Sequence, residues 1–137
     1  MLSFHHSAFV VEDIDKWEKR NFVEKKVADV VDPVQNARLC LYKHFADDSF
    51  IEVIQPLDEK AFTWSALKKR GEHFNHFCYK SDTLEEVTKI AEEQKFIHVL
   101  GPVQALLFKR EPVVFYYTRN RQIIEFLISP HENKDLY

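Results

Sequence analysis

"EHFNHFCYK", residues 72 to 80, alternates with the period of a β-strand and turns His76 to the same face as Phe74 and Cys78. An imidazole on a face that points into a core needs a partner, either a hydrogen-bond network or a metal ion. The arrangement has a counterpart upstream. "FHHSAFVV" begins at Phe4 and carries His6 two residues on, as Phe74 carries His76, and the two histidines are 70 positions apart. Other pairs keep nearly the same spacing. "DPVQ" at Asp32 to Gln35 is answered 69 positions on by "GPVQ" at Gly101 to Gln104. The apolar runs "FIEVIQP" and "IIEFLISP" hold Glu52 and Glu125, 73 apart. Three such pairs read as an internal duplication.

The elements follow the same repeat. "SFHHSAFVV" reads as a strand and "DIDKWEKRNF" as a short helix with Asp13 as N-cap. Three strand-like runs follow, "EKKVADVV", "ARLCLYKH" and "SFIEVIQP", with turns at Asp32-Pro33 and Asp47-Asp48. A connector is expected to be helical from about Ala61 to Arg70 and to stop at Gly71. The order then restarts. "HFNHFCYK" is a strand and "SDTLEEVTKIAEEQ" a helix with Leu84, Val87, Ile90 and Ala91 on one face, followed by the runs "VQALLFK", "PVVFYYT" and "QIIEFLIS". The expected fold is α+β, a single domain of two tandem βαβββ modules whose mixed sheet cups one site. Module one spans about 1–57, a connector helix about 58–71, module two about 72–130, and a loose polar tail 131–137.

Composition bounds the function. A chain of 137 residues with 45% hydrophobic content and twelve phenylalanines buries a real core. Net charge of −3 and a pI of about 6.2 provide no electrostatic footprint for nucleic acid or anionic membrane. Two cysteines, Cys40 and Cys78, without a CxxC pair, exclude a disulfide framework and a sulfur-rich zinc site. The two glycines, Gly71 and Gly101, exclude a glycine-rich phosphate loop. No basic leader precedes an apolar stretch and no uncharged run reaches membrane-spanning length, so a cytoplasmic protein is expected.

Glu125 shares a strand face with Ile123 and Leu127, and Glu52 sits among Phe50, Ile51, Val53 and Ile54. An ionised carboxylate in such a run is costly to bury unless paired or bound to a cation. If the modules pack as related copies, His6, Glu52, His76 and Glu125 meet in one concavity. Two imidazoles and two carboxylates make a mixed nitrogen and oxygen set for one divalent ion, Ni, Co, Mn, Zn or Fe, with positions open to substrate. The plainer alternatives are a satisfied core histidine and a glutamate on the solvent face of a sheet. His5 and His73 fall on the opposite strand faces and are expected at the surface. His44, His98 and His131 lie outside the repeat. Cys78 shares the face of His76 and reads as a small buried hydrophobe. Gln35 and Gln104 are candidates to hold a substrate oxygen, against a structural role at a strand start. Arg119 and Arg121 belong to a turn, candidates for an anionic substrate tail against a solvated default.

These residues resemble the vicinal oxygen chelate superfamily over nearly the full chain. "FHHSAFVVEDIDK" is similar to the opening strand and helix of the branch that includes methylmalonyl-CoA epimerase and glyoxalase I. "FIEVIQPLDE", "LKKRGEHFNHFCYKSD" and "IIEFLIS" look especially like the epimerase. The resemblance implies paired βαβββ modules around one divalent metal. It matches His6 to the first-strand ligand, Glu52 to a position that is a carboxylate or amide, His76 to the histidine of the second module, and Glu125 to the closing glutamate. It also implies a homodimer. The implied activity is metal-dependent removal of a proton alpha to a carbonyl of a small-molecule substrate, with Glu125 and then Glu52 as the base. A glyoxalase I-type lyase and a metal-free protein that binds small molecules are the alternatives.

Overall fold

The alternating runs form β1 (Ser3–Val10), β2 (Lys25–Asp32), β3 (Ala37–Lys43), β4 (Phe50–Pro56), β5 (His73–Ser81), β6 (Ile97–Gln104), β7 (Pro112–Tyr117) and β8 (Ile123–Ile128). The helices are α1 (Ile14–Arg20), α2 (Trp64–Arg70) and α3 (Leu84–Gln94). The computed structural model describes residues 1 to 23 and 25 to 137; Glu24, the first residue of the run "EKKVADVV", lies outside the described residues. The order is β-α-β-β-β twice, with α2 between the copies. The strands neighbour one another in the order β2-β3-β4-β1-β5-β8-β7-β6. β5 and β8 run parallel, and the pairs β2–β3, β3–β4, β6–β7 and β7–β8 are antiparallel. This is the expected α+β class with a mixed sheet.

Contacts divide the chain into two compact units, Ser7–Asn75 and Met1–His6 with His76–Tyr137. The expectation of modules divided near 57 and 72 left Met1–His6 with the first copy; by contacts, these residues belong with the second.

In the unit Ser7–Asn75, the Asp13 side chain caps α1 by accepting from the Lys16 N–H at 3.1 Å. Val11, Ile14, Cys40, Tyr42 and Val53 form its core, with Trp17, Val23 and Ile51 packed on it. Ile51 and Val53 point into that core, so strand alternation turns Phe50, Glu52 and Ile54 to the other face of β4. Glu52 is 4% exposed and pairs with Leu41 of β3. "DPVQ" closes the β2–β3 turn: Asp32 accepts from the N–H of Val34 at 2.8 Å and from the Gln35 amide at 3.2 Å. α2 ends at Gly71, whose φ of 77° suits glycine and whose N–H donates to Leu67 O at 2.8 Å.

Arg38 ties β3 to the terminal strand β2. It donates from Nε to Asp29 Oδ1 at 3.0 Å and from Nη2 to Oδ2 at 2.8 Å, and its Nη1 reaches Asp15 at 3.1 Å. The Arg38 hydrogen bonds outweigh burial and hold the Asp29 carboxyl well below the usual carboxylate range. A depressed carboxyl contributes stability above its unfolded value and loses it as pH falls. Asp29→Asn is therefore expected to flatten the loss of stability below about pH 3.9. The difference is at most about 1 kcal/mol, because the pair is solvent-screened. Urea titrations at pH 6, 4 and 3 measure it; parallel curves for both proteins would remove the pair from the stability account.

In the other unit, Thr83 caps α3 by accepting from the Glu86 N–H at 3.2 Å. Val87 and Ala91 of α3 pack with Val114, Tyr116, Phe126 and Ile128, joined by Tyr79 and Ile124. Alternation then places Glu125 on the opposite face of β8, and His76 and Cys78 on the opposite face of β5.

The run "VQALLFK" differs from expectation. Val103 and Gln104 end β6, which begins at Ile97, and Leu106–Phe108 is a 3-10 turn. Register shifts between His98 and Leu100 and between Leu100 and Val103 carry Gly101-Pro102 inside the strand, where the sequence reads as a break. Gly101 has φ 98°, and a Cβ there would lie 2.5 Å from Val113 O. Gly101→Ala is expected to destabilise the fold by roughly 2–4 kcal/mol, read as a lower urea midpoint. An unchanged midpoint would mean β6 and β7 part without cost.

The segment 131–137 is not the loose tail its polar composition implies. Leu136 is 1% exposed. The His131 N–H donates to Ser129 Oγ at 3.2 Å, Lys109 Nζ to Asp135 O at 3.1 Å, and Lys80 Nζ to His131 O. One buried apolar side chain and a few polar contacts dock it, and neither signal registers in a composition count.

Candidate metal centre

β1, β5 and β8 are consecutive in the sheet, and each brings one polar side chain to the same buried point in the unit Met1–His6 with His76–Tyr137. His76 Nε2 lies 3.0 Å from Glu125 Oε1, and His6 Nε2 lies 3.2 Å from the same oxygen. The two Nε2 atoms are 3.3 Å apart. Relative exposure is 0% for His6, 3% for His76 and 4% for Glu125. The parallel register sets Cys78 against Glu125, so His76 stands two residues away on the same face. Phe115, the β7 partner of Glu125, meets the His76 ring edge-on at 5.7 Å.

The donor atoms fit a divalent ion. Ligands about 2.1 Å from a metal stand about 3.0 Å apart at right angles and about 3.4 Å apart in a tetrahedron. The three observed spacings fall within that window. Two imidazole nitrogens and a carboxylate oxygen suit Zn, Fe, Ni, Co or Mn better than the all-oxygen preference of Ca or Mg. Burial opposes ionisation of Glu125, but hydrogen bonds from His6 and His76 hold its carboxyl well below the usual range. The site therefore presents an anionic oxygen beside two nitrogens, as a cation requires.

Glu52 stands on β4 of the unit Ser7–Asn75, buried on the face away from its helix-side core. That is the position Glu125 holds relative to its own core, as the repeat predicts.

His5 is fully buried, against the expectation of a surface position. Phe4 packs on Phe77 and Tyr79, on the face of β5 opposite His76, whereas His6 lies with His76. Residues two apart on a regular strand share a face, so alternation breaks within Phe4-His5-His6 and both histidines turn inward. His5 Nδ1 is 2.8 Å from His6 Nδ1, and His5 Nε2 is 2.8 Å from the Tyr137 hydroxyl. Burial, and then the neighbouring His6 ring, keep the His5 imidazole well below its ordinary value, so the ring is neutral. The adjacent "HH" and the terminal "LY" were the available signals, and neither follows the repeat.

The other side chains take simpler places. His73 Nδ1 donates to Gly71 O at 2.8 Å, and His98 Nε2 donates to Gly101 O at 2.7 Å. His131 is exposed, and Arg119 and Arg121 are exposed in the β7–β8 turn. Cys40 and Cys78 are buried thiols, and the Cys78 sulfur lies within 4.8 Å of ligand atoms of His5 and His6. The Gln35 amide is engaged by Asp32.

Residues 5–115 match the family model of the Glyoxalase/Bleomycin resistance protein/Dioxygenase superfamily. A comparison with curated protein sequences finds no match. Among solved structures, the fold is similar to methylmalonyl-CoA epimerase from Mycobacterium tuberculosis, with TM-score 0.80 and 18% identity over 93% of this chain and 88% of that one. A hypothetical protein from Bacillus halodurans C-125 aligns with TM-score 0.81 and 19% identity over 96% of both chains. A second methylmalonyl-CoA epimerase aligns with TM-score 0.76 and 16% identity over 93% of this chain and 95% of that one. These likenesses confirm the α+β fold of tandem βαβββ modules. With the family model spanning most of the sequence, the chain belongs to the Glyoxalase/Bleomycin resistance protein/Dioxygenase superfamily, the vicinal oxygen chelate fold.

Proposed function

We propose that this protein is a divalent-metal-dependent enzyme that removes a proton from the carbon next to a carbonyl, an epimerase or isomerase of the methylmalonyl-CoA epimerase type. The observation that carries the reading is the convergence of His6 Nε2, His76 Nε2 and Glu125 Oε1 within 3.0–3.3 Å in a buried setting. Glu52 is the fourth ligand of this proposal, supported by its burial and its place in the repeat; each of the four residues offers one ligand atom. The bound ion supplies Lewis acidity that makes the neighbouring C–H acidic.

The residues do the rest. His6 and His76 would hold the ion through Nε2. Glu125 is ionised and able to accept a proton, which is the first requirement of a base. Its proton affinity is lowered by two imidazole contacts to Oε1, so taking the substrate proton requires it to loosen one of them. Glu52 is the second carboxylate for the transfer, and return of the proton to the other face of the carbon completes an epimerisation. The apolar rings of Phe108 and Phe115 flank His6 and His76 and keep water from competing for that proton.

The proposal includes a homodimer. The terminal strands of the sheet order, β2 and β6, carry exposed Val31, Ile97 and Val99, an edge that pairing covers. We infer a cytoplasmic location from two cysteines kept as thiols rather than as a disulfide. Among the described residues, no helix is long and apolar enough to cross a membrane. The test is exchange of the substrate α-proton with solvent deuterium, using cobalt-loaded protein with methylmalonyl-CoA and small keto substrates. Exchange with at least one of them is expected. None with any would favour a protein that only binds small molecules, and turnover of a hemithioacetal instead would identify a glyoxalase I-type lyase.

A further inference from the structure

We propose that His5 is a positioning residue for His6, and that Tyr137 in turn holds His5, so that the 131–137 segment supports the metal centre; this rests on the metal-binding reading above. His6 turns Nε2 toward His76 and Glu125 and Nδ1 toward His5. A neutral imidazole has one N–H and one lone pair. Offering the Nε2 lone pair to a cation puts the His6 proton on Nδ1, 2.8 Å from His5 Nδ1. That nitrogen must then accept, which leaves the His5 proton on Nε2, and it is donated to the Tyr137 oxygen at 2.8 Å. One choice at the metal fixes the tautomer of both rings.

The setting makes the choice matter. Both histidines are at 0% exposure. Phe108 packs edge-on against His5 at 5.2 Å and tilted against His6 at 5.6 Å, with Tyr137 at 6.5 Å from it and 6.2 Å from His5. Water does not readily replace an acceptor lost there. A His6 ring without an acceptor at Nδ1 either leaves a buried N–H unsatisfied or moves its proton to Nε2, where it blocks the ligand position. Buried Leu136 and the Lys109 bond to Asp135 O keep the Tyr137 ring in place. The same rings are not a second metal site formed with Cys78: a separation of 2.8 Å between the two Nδ1 atoms is a hydrogen bond, shorter than the about 3.0 Å between ligands on one ion.

The test is Co(II) affinity by chelator competition on the metal-free full chain, beside unfolding of each metal-free protein. His5→Phe is expected to bind cobalt about 10–100-fold more weakly. His5→Asn, which places an amide oxygen near the lost Nδ1, is expected to regain most of that. Tyr137→Phe is expected to lose affinity by a smaller, several-fold factor while retaining cobalt's visible absorption band. Wild-type affinity in His5→Phe, or His5→Asn binding no tighter than His5→Phe, would overturn the positioning role. A wild-type protein that takes up no cobalt would instead remove the metal reading, and this inference with it, so the two failures are read apart.

Discussion

Glu125→Gln is expected to slow exchange of the substrate α-proton with solvent deuterium by about a thousandfold, while leaving the fold intact and the metal bound. The amide keeps the size of the carboxylate and still places an oxygen at Oε1, which lies 3.2 and 3.0 Å from His6 and His76 Nε2 in the native protein. What it lacks is the ability to take a proton. A ligand role and a base role therefore separate in this variant: metal content reports the first and exchange the second. Exchange at the wild-type rate would take the base role from Glu125. Glu52→Gln, assayed in the same way, would then be the variant expected to lose exchange.

His76→Ala is expected to abolish the stabilisation that added metal confers. Ligand that binds only the folded state at a hundred times its dissociation constant stabilises by about 2.7 kcal/mol. For a chain of this size that is a rise in Tm of roughly 10 °C. The variant removes one of the two nitrogens and one of the two hydrogen bonds that keep Glu125 ionised, so its metal-free Tm falls as well. Each protein is therefore compared with its own metal-free state. An increment in His76→Ala equal to that of wild type would place the ion elsewhere.

The parts of the fold that follow a strict period were legible in the sequence. Ile124 and Phe126 turn toward α3 and Glu125 away from it because strand alternation leaves no other arrangement. Ile51 and Val53 do the same for Glu52 against the first core. The duplication marked the same strands twice, and His6 and His76 stood out because each copy carried one.

What was not legible broke a period. Alternation fails across Phe4-His5-His6, so a histidine expected at the surface is buried behind the proposed metal ligand. β6 runs through Gly101-Pro102, which local propensity reads as a stop, because pairing with β7 tolerates two register shifts. Tyr137 docks a segment of polar composition through a contact with His5, 132 positions away. The assignment of Met1–His6 to the second compact unit is likewise a matter of contacts with residues distant in sequence.

The most direct measurement is the metal content of untagged protein, purified without chelator and analysed by elemental spectrometry. The account predicts about one divalent ion per chain, held where His6, His76 and Glu125 converge. Protein that holds none, and that still takes up none after reconstitution with Ni, Co, Mn or Zn, would contradict it.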